Sequence, residues 1–368
     1  MRTHLYSFVL KTKQGEFSGL GRAGQELREI GRPHFDVTKS DDEASLGRHL
    51  AGIASDIAAN WSLESDFYID LFDIPLAWRT SAGRHPLRDL ADRLQNGQLF
   101  PVRLIPTTGL EIERDPHYVA AAKEIAREVG RGLCLRLKPE EIEHYDESSV
   151  LAESLLRNHS DDCDLMLDFR SIVNQDAERL ATRGIRLVRA LERKGLRFRA
   201  IIVCSSNIPE KLSEQVDKNS SWNQPRTEWP LWENIATALG QENVIYGDYA
   251  VIFPEFFAPQ QNKSINAKLK IADRDHYRLY RGRELYTEDG DPFQYRELAG
   301  QVLKLETMRG VTSRALQDLR ELASGRNQKK GSPGSVVPTE VCLHLDVTAQ
   351  EVTSRVKAVA KSSSPAPV

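Results

Sequence analysis

The chain has 368 residues, of which 40% are hydrophobic and 28% charged, and its formal net charge at pH 7 is -3. This composition is that of an ordinary soluble globular protein rather than a disordered or fibrous one. The near-neutral balance argues against a global basic field for nucleic acid, although it leaves room for a local basic patch.

The N-terminal apolar run is too short for a signal peptide, and no window approaches the roughly 18 apolar residues of a membrane span. The four cysteines form no Cys-x-x-Cys pair, and three of them lie in or beside apolar, strand-like runs. We therefore expect reduced core cysteines and a cytoplasmic protein with no membrane partner.

Eight strand-like runs alternate with helical segments along the first 255 residues. The predicted strands are residues 6–13, 33–39, 66–74, 99–105, 132–138, 162–172, 197–206 and 243–253. The sixth of them is the clearest, because Leu165, Met166 and Leu167 form a continuous apolar run that stops at Asp168 and Arg170. Such a run between two helices is typical of a strand buried on both faces.

The number of strands favours a (β/α)8 barrel. The runs are spaced by roughly 30 to 35 residues until the last, which is the repeat length of a TIM-barrel-like fold. An open, doubly wound sheet is the alternative, but the first strand is not followed by a glycine-rich turn. We therefore predict a barrel over residues 1–255.

The remainder of the chain predicts an addition to the barrel and then a tail. Residues 267–283 have the pattern of a polar β-hairpin, and residues 293–307 that of a helix, so we assign residues 256–310 to a C-terminal hairpin and helix. Residues 325–338 are rich in Gly, Ser and Lys, and the last residues are of low complexity. We expect residues 311–368 to form a flexible or poorly packed tail.

The carboxyl ends of the predicted strands carry charged side chains that a barrel would bring to one mouth. They include Lys11, Asp36, Asp70, Arg136, Asp168 and Asp248. Mixed carboxylates and cations suit an anionic ligand, or a divalent metal ion bound by aspartates with phosphate bound by Arg and Lys. The simpler interpretation is that these charges pair with one another and close the barrel.

The sequence does not indicate several other kinds of catalytic or binding site. It contains no His-Glu-x-x-His pattern and no Gly-x-Ser-x-Gly elbow, and Gly19-Leu20-Gly21 lacks the apolar helix start that follows a dinucleotide-binding fingerprint, so zinc-protease, serine-hydrolase and dinucleotide-binding sites are not indicated. The identity of a metal ion, if one binds, is not predicted.

Seven segments together resemble the beta protein family of phages, prophages and bacterial genomes. They are residues 10–16, 106–109, 132–137, 165–168, 246–250, 280–283 and 293–299, in this order and spacing. The resemblance implies a barrel-like α/β fold and a setting in mobile elements or phage–host conflict, but no established reaction. It places recurrent polar positions at Lys11, Glu16, Arg136, Asp168, Asp248, Arg281, Gln294 and Tyr295; at Asp36 the family more often has Glu.

The C-terminus departs from that resemblance. Family members usually end in a segment with a tryptophan and a histidine, whereas this chain has no tryptophan after Gly310 and only His344. If that segment completes the site, its change puts the activity of this chain in question.

Two functions therefore remain open. In the first, the chain is an enzyme or nucleotide-responsive protein that handles an anionic small molecule, with Asp70, Asp168 and Asp248 binding a divalent ion or moving protons. The ligand-binding residues would be Lys11, Glu16, Asp36, Arg136, Arg281, Gln294 and Tyr295. In the second, the chain is a non-catalytic interaction protein of phage–host conflict that binds a protein partner.

Overall fold

Eight parallel strands close into a barrel in the computed structural model, which describes residues 4–110, 114–157, 162–240, 242–255, 265–286, 291, 293–326 and 331–362. The strands of the described residues are β1 (Tyr6–Lys11), β2 (Gly31–Asp36), β3 (Phe67–Asp70), β4 (Leu104–Thr108), β5 (Leu133–Leu137), β6 (Cys163–Ser171), β7 (Ala200–Ser206), β8 (Ser220–Pro225), β9 (Val244–Asp248), β10 (Asn266–Ala272) and β11 (His276–Glu284). The barrel order is β1 to β7 followed by β9, and β9 pairs with β1. The predicted (β/α)8 barrel is confirmed, and an open sheet is excluded.

Helices surround the barrel and begin where the sequence supplies start signals. They are α1 (Gln14–Arg22), α2 (Gln25–Ile30), α3 (Leu46–Asn60), α4 (Pro86–Gln95), α5 (Pro116–Val129), α6 (Pro139–Glu143), α7 (Tyr145–Leu156), α8 (Ala177–Arg193), α9 (Glu228–Leu239), α10 (Gln294–Val302), α11 (Arg314–Ser324) and α12 (Pro333–Ser362). Helix α5 is an example: Pro116 occupies its first turn, and the Asp115 side chain accepts a hydrogen bond from the Tyr118 amide.

Side-chain alternation along the strands separates two apolar layers. Inward-facing residues such as Val9, Ile105, Met166 and Ile202 form the core of the barrel interior. The alternate residues pack outward against the helices and form the larger core. This alternation also decides on which side of the barrel wall each polar residue of a strand lies.

A second sheet of three antiparallel strands lies beside the barrel, in the order β10, β11 and β8. Strands β10 and β11 form the hairpin that the sequence predicts. Strand β8 comes from the long connection before β9, and pairs Trp222 with Leu279. The sequence analysis missed β8, because its polar residues show no apolar run.

The tail differs from the expectation of a flexible or poorly packed segment. Within its described part, α11 and α12 are helices, and α12 packs on α1 so closely that a Cβ atom on Gly19 would lie 2.6 Å from the Val341 side chain. Val341 and Leu345 join the barrel's outer core, whereas Cys342 and Leu343 join the core of the second sheet. Because α12 is buried on two sides, it lacks the one-sided period that identifies a surface helix.

Two parts of that tail, residues 327–330 and 363–368, lie outside the described residues. None of the helices in the described ranges is long and apolar enough to cross a membrane.

Candidate functional site

The guanidinium group of Arg136 lies at the carboxyl end of the barrel interior and binds three aspartates from three strands. Its Nη1 atom donates to Asp36 (2.6 Å) and to Asp70 (2.9 Å), and its Nε atom donates to Asp168 (2.8 Å). All four side chains are almost completely buried. An arginine fork can satisfy several carboxylate oxygens at once, which explains why one cation serves three strands.

Further ion pairs extend this group of charges. Lys11 contacts Asp36 (3.1 Å) and Asp73 (3.0 Å), and Arg114 contacts Asp70 (2.6 Å). The Tyr249 hydroxyl accepts a hydrogen bond from Arg136 and donates one to Asp168, both at 2.6 Å. We define the central cluster as Lys11, Asp36, Asp70, Asp73, Arg114, Arg136, Asp168, Arg170 and Tyr249. Its four cations match its four carboxylates.

The central carboxylates are held in the ionised state. Burial alone would raise the pKa of Asp36, but the charges of Arg136 and Lys11 outweigh it and hold that pKa well below the usual range. The pKa values of Asp70 and Asp168 are also lowered, against the effect of burial, by neighbouring arginines. These aspartates therefore orient Arg136 as permanent charges near neutral pH, rather than exchange protons.

A divalent metal ion does not fit the central cluster as it is arranged. His34, Asp36 and Asp70 offer ligand atoms within 4.8 Å of one another, and these are residue types that metal ions use. However, Arg136 already donates to both carboxylates and supplies the compensating positive charge. The His34 ring nitrogens find no hydrogen-bond partner among the described residues, and burial followed by the charge of Arg136 lowers the pKa of His34 to about 4.

Asp248 does not join the other predicted aspartates, which corrects the prediction that Asp70, Asp168 and Asp248 form one site. Tyr249 points into the barrel, so the preceding Asp248 points outward, towards α12. There it accepts hydrogen bonds from the Tyr6 hydroxyl (2.7 Å) and from Nε2 of His344 (2.9 Å), and it faces Arg226 (3.4 Å).

Several buried polar residues surround Asp248 at this outer position. We define the outer cluster as Tyr6, Arg226, Glu228, Tyr246, Asp248, Tyr277, His344 and Thr348. The sequence analysis missed Arg226 entirely, and it noted His344 only as the one histidine after Gly310. Neither lies in a local pattern, because their partner Asp248 is far away in the chain.

Four other predicted ligand-binding residues form hydrogen bonds with backbone groups instead of lining the barrel mouth. Glu16 is buried and accepts a hydrogen bond from the backbone amide of Lys11 (2.6 Å). Arg281 on β11 donates to a backbone carbonyl (2.9 Å), and Gln294 donates to two others. The Tyr295 hydroxyl accepts from a backbone amide of β10 (3.3 Å). The last three therefore support the second sheet.

A cavity of about 560 Å³ opens beside the central cluster, between the loops that follow β3, β5 and β6. We call it the mouth cavity. Its lining residues include Phe72 and Asp73 after β3, Lys138 after β5, and Arg170 at the end of β6. Lys138 lies over the ring of Phe72, with its Nζ atom 2.8 Å from the ring centroid.

Arg170 adopts a left-handed backbone conformation, with φ of +56°, that is unfavourable for an arginine. Its amide donates to the Asp168 side chain (3.0 Å), which anchors this turn. Its side chain lines the mouth cavity. Unfavourable backbone conformations are often retained where they position a functional group, and here the turn places Arg170 at the wall of the mouth cavity.

The chain is similar to a known protein family over nearly its whole length. The family model described as Beta protein matches residues 6–349, which spans the barrel, the second sheet and most of α12. No curated protein sequence matches the chain.

Proposed function

This chain belongs to the Beta protein family, and from that premise we propose that its mouth cavity binds an anionic, phosphate-bearing small molecule, such as a nucleotide or a sugar phosphate. The observation that carries the proposal is Arg170, a cation held in an unfavourable backbone conformation at the wall of a cavity of about 560 Å³. A cavity of this size suits a small-molecule ligand.

Arg170 differs from the other cations of the central cluster in how its charge is used. Arg114 and Arg136 each contact a buried carboxylate at 2.9 Å or less. Arg170 instead has its nearest described carboxylate, that of Glu255, at 3.8 Å, and Glu255 is more than half exposed. Its fork is therefore available to a ligand, and phosphate is an anion that it can bind through two parallel hydrogen bonds.

The rest of the mouth cavity suits a ligand that carries more than a phosphate. Lys138 and Arg183 add positive charge to the lining, whereas Glu140 and Glu255 add acceptors for hydroxyl or amino groups. The ring of Phe72 offers an apolar surface beside them. This mixture supports a nucleotide or a sugar phosphate better than it supports a bare anion. We place this function in the cytoplasm and in the phage, prophage or anti-phage setting that the family resemblance implies.

One observation favours a second candidate, a non-catalytic interaction protein with the barrel as a scaffold. Asp36, Asp70 and Asp168 are all bound by Arg136, and further ion pairs of Lys11 and Arg114 make the central cluster a closed group rather than an open set of carboxylates. This is the arrangement expected if the strand-end charges only hold the barrel together. The second candidate then relies on a protein partner.

Thermal unfolding of the purified protein against nucleotides, sugar phosphates and divalent ions tests the first candidate. A ligand at 100 times its dissociation constant adds about 2.7 kcal/mol to the unfolding free energy. We expect this stabilisation to disappear in Arg170→Gly, which removes the guanidinium group and accepts the positive φ. Asn174→Gly is the matched control, because Asn174 also has a positive φ (60°) and does not line the cavity.

The result that would reject the first candidate is equally clear. If no compound in the panel stabilises the wild-type protein, or if Arg170→Gly keeps the full effect, the mouth cavity is not the ligand site. The second candidate would then be preferred.

A further inference from the structure

Helix α8 presents a row of arginines to the solvent. Arg179, Arg186, Arg189 and Arg193 are exposed, and Arg183 lies on the flank that faces α6. At 3.6 residues per turn, the five positions fall within an arc of about 120° and extend over about 21 Å of the helix axis. The net charge of -3 for the whole chain conceals this local concentration.

The row is not neutralised by the protein. Arg183 pairs with Glu143 (2.9 Å), but among the described residues no carboxylate lies within 4.0 Å of the other four guanidinium groups. Neighbours in the row are three or four positions apart in the helix, and like charges at these spacings repel each other. A surface that serves only solubility mixes both signs, so this face gains from an anionic partner.

A groove of about 370 Å³ runs beside the row and leads towards the barrel mouth. It is lined by Arg179, Arg183 and Arg186 on one side and by Glu143 and Tyr145 on the other. Arg183 lines the mouth cavity as well, so the two depressions are neighbours at this residue. An extended ligand bound in both would pass Arg183.

We propose that the arginine row of α8 and its groove bind the phosphodiester backbone of a single-stranded nucleic acid, with the strand end in the mouth cavity. This inference rests on the proposed function for the position of the strand end, but not for the row itself. The net charge does not indicate nucleic acid, but it leaves room for a local basic patch, and the arginine row is such a patch.

Three features favour a single strand over other polyanions. All the cations of α8 are arginines, whose planar forks match phosphate oxygens better than the point charge of lysine does. One helix supplies one row, which can follow one backbone. Tyr145 is half-buried in the groove wall and offers a ring for base stacking, which is available only when bases are unpaired.

Fluorescence anisotropy with a 3′-labelled single strand of about 12 nucleotides tests the inference. The test variant combines Arg179→Gln, Arg186→Gln and Arg189→Gln. The control variant combines Arg309→Gln, Arg314→Gln and Arg320→Gln, which removes the same charge from exposed positions around α11. We expect the test variant to bind about tenfold or more weakly at about 50 mM salt, and its salt dependence, as the slope of log K against log salt, to fall by about 2. The control should bind as the wild type does.

The outcomes separate this inference from the proposed function. Equal binding by the two variants, or tighter binding of a duplex of the same length, would overturn the inference. Stabilisation of the protein by nucleotides without any binding of the strand would also overturn it, while the proposed function stands.

A second comparison tests whether the strand end lies in the mouth cavity. We expect a 5′-phosphorylated strand to bind more tightly than a 5′-hydroxyl strand, and Arg170→Gly to abolish this difference. If the test variant loses binding but the 5′-phosphate has no effect, the arginine row is supported and the placement of the strand end in the mouth cavity is rejected. The proposed function is then decided by the thermal unfolding experiment alone.

Discussion

The central and outer clusters are built on the same local device and lie on opposite sides of the barrel wall. In each, an aspartate near the end of a strand accepts a hydrogen bond from the amide two residues later, and that later residue has a positive φ. The pairs are Asp168 with Arg170 (3.0 Å, φ 56°) and Asp248 with Ala250 (3.0 Å, φ 50°). The direction of the side chain alone sends Asp168 inward and Asp248 outward.

The two clusters differ in how they respond to pH. The central aspartates are ionised, because arginines lower their pKa values against the effect of burial. In the outer cluster, burial raises the pKa of Glu228 to about 7, although Arg226 opposes this. A fully buried carboxylate therefore stays charged where neighbouring cations match it, and it titrates near neutral pH where they do not.

Removal of the central arginine should have the largest effect. Arg136→Met leaves three buried carboxylates without their common partner, so we expect a loss of about 4 kcal/mol in unfolding free energy, or failure to fold. Urea unfolding at pH 7 measures the loss. Arg84→Met is the control, since Arg84 pairs with Asp92 at the surface and should change stability by less than about 0.5 kcal/mol. Similar values for both would show that the central cluster does not stabilise the barrel.

The outer cluster should be nearly as sensitive. Asp248→Asn removes the charge that faces Arg226 and His344, and we expect a loss of about 3 kcal/mol. The loss should be smaller than for Arg136, because Arg226 keeps its contacts with Thr348 and Tyr246. Glu351→Gln, at a partly exposed ion pair on the same helix α12, is the matched control in the same urea experiment. An Asp248→Asn protein as stable as this control would mean that α12 does not depend on the outer cluster.

The difference in titration should appear as a difference in pH dependence. The pKa of Glu228 is about 7 in the folded protein against an ordinary 4.5, so the folded state binds the proton more tightly. Stability from this group is complete below pH 4.5 and falls as the pH rises towards 7. The unfolding free energy of Glu228→Gln, taken relative to that of the wild type, should therefore rise by on the order of 2 kcal/mol between pH 4.5 and pH 8.

Asp168→Asn provides the contrast for that measurement. The pKa of Asp168 is lowered, so its contribution is present above the ordinary value of 3.8 and is lost only as the pH falls below it. This substitution should leave the slope between pH 4.5 and 7 unchanged. Equal slopes for wild type and Glu228→Gln would contradict the assignment of this titration to the outer cluster.

The shared backbone device predicts the smallest effect. Glycine adopts a positive φ without steric cost, so Ala250→Gly should raise stability by about 1 kcal/mol. Arg170→Gly should gain less, because it also removes a cation that lowers the pKa of Asp168. Since the two sites share no partner, the double variant should show the sum. Thermal unfolding measures all three. A larger gain for Arg170→Gly than for Ala250→Gly would contradict the role of Arg170 as a cation of the central cluster.

The barrel could be predicted from the sequence because each strand can be recognised from its own residues. The run from Leu165 to Leu167 needs no knowledge of the rest of the chain to be recognised as a buried strand. The convergence of strand ends then follows from topology, and the structure does bring Lys11, Asp36, Arg136 and Asp168 together.

What could not be predicted depends on side-chain direction and on distant partners. No local signal fixes the register of β9, which ends at Asp248, so the sequence analysis missed the outward direction of the Asp248 side chain. His344 is 96 residues away from it. Helix α12 was mistaken for a tail because its apolar residues face two cores at once, and a one-sided period therefore never appears.

The position of α12 in the chain has a consequence for biosynthesis. The ribosome releases residues 6–248, which hold every strand of the barrel, before it makes the helix at Pro333–Ser362 that covers the barrel's outer wall. Until His344 emerges, Asp248 lacks its partner from α12, and the apolar surface that Val341 and Leu345 cover stays open to solvent. The nascent barrel is therefore exposed to aggregation during the synthesis of about ninety residues, and its folding is complete only after α12 has been made.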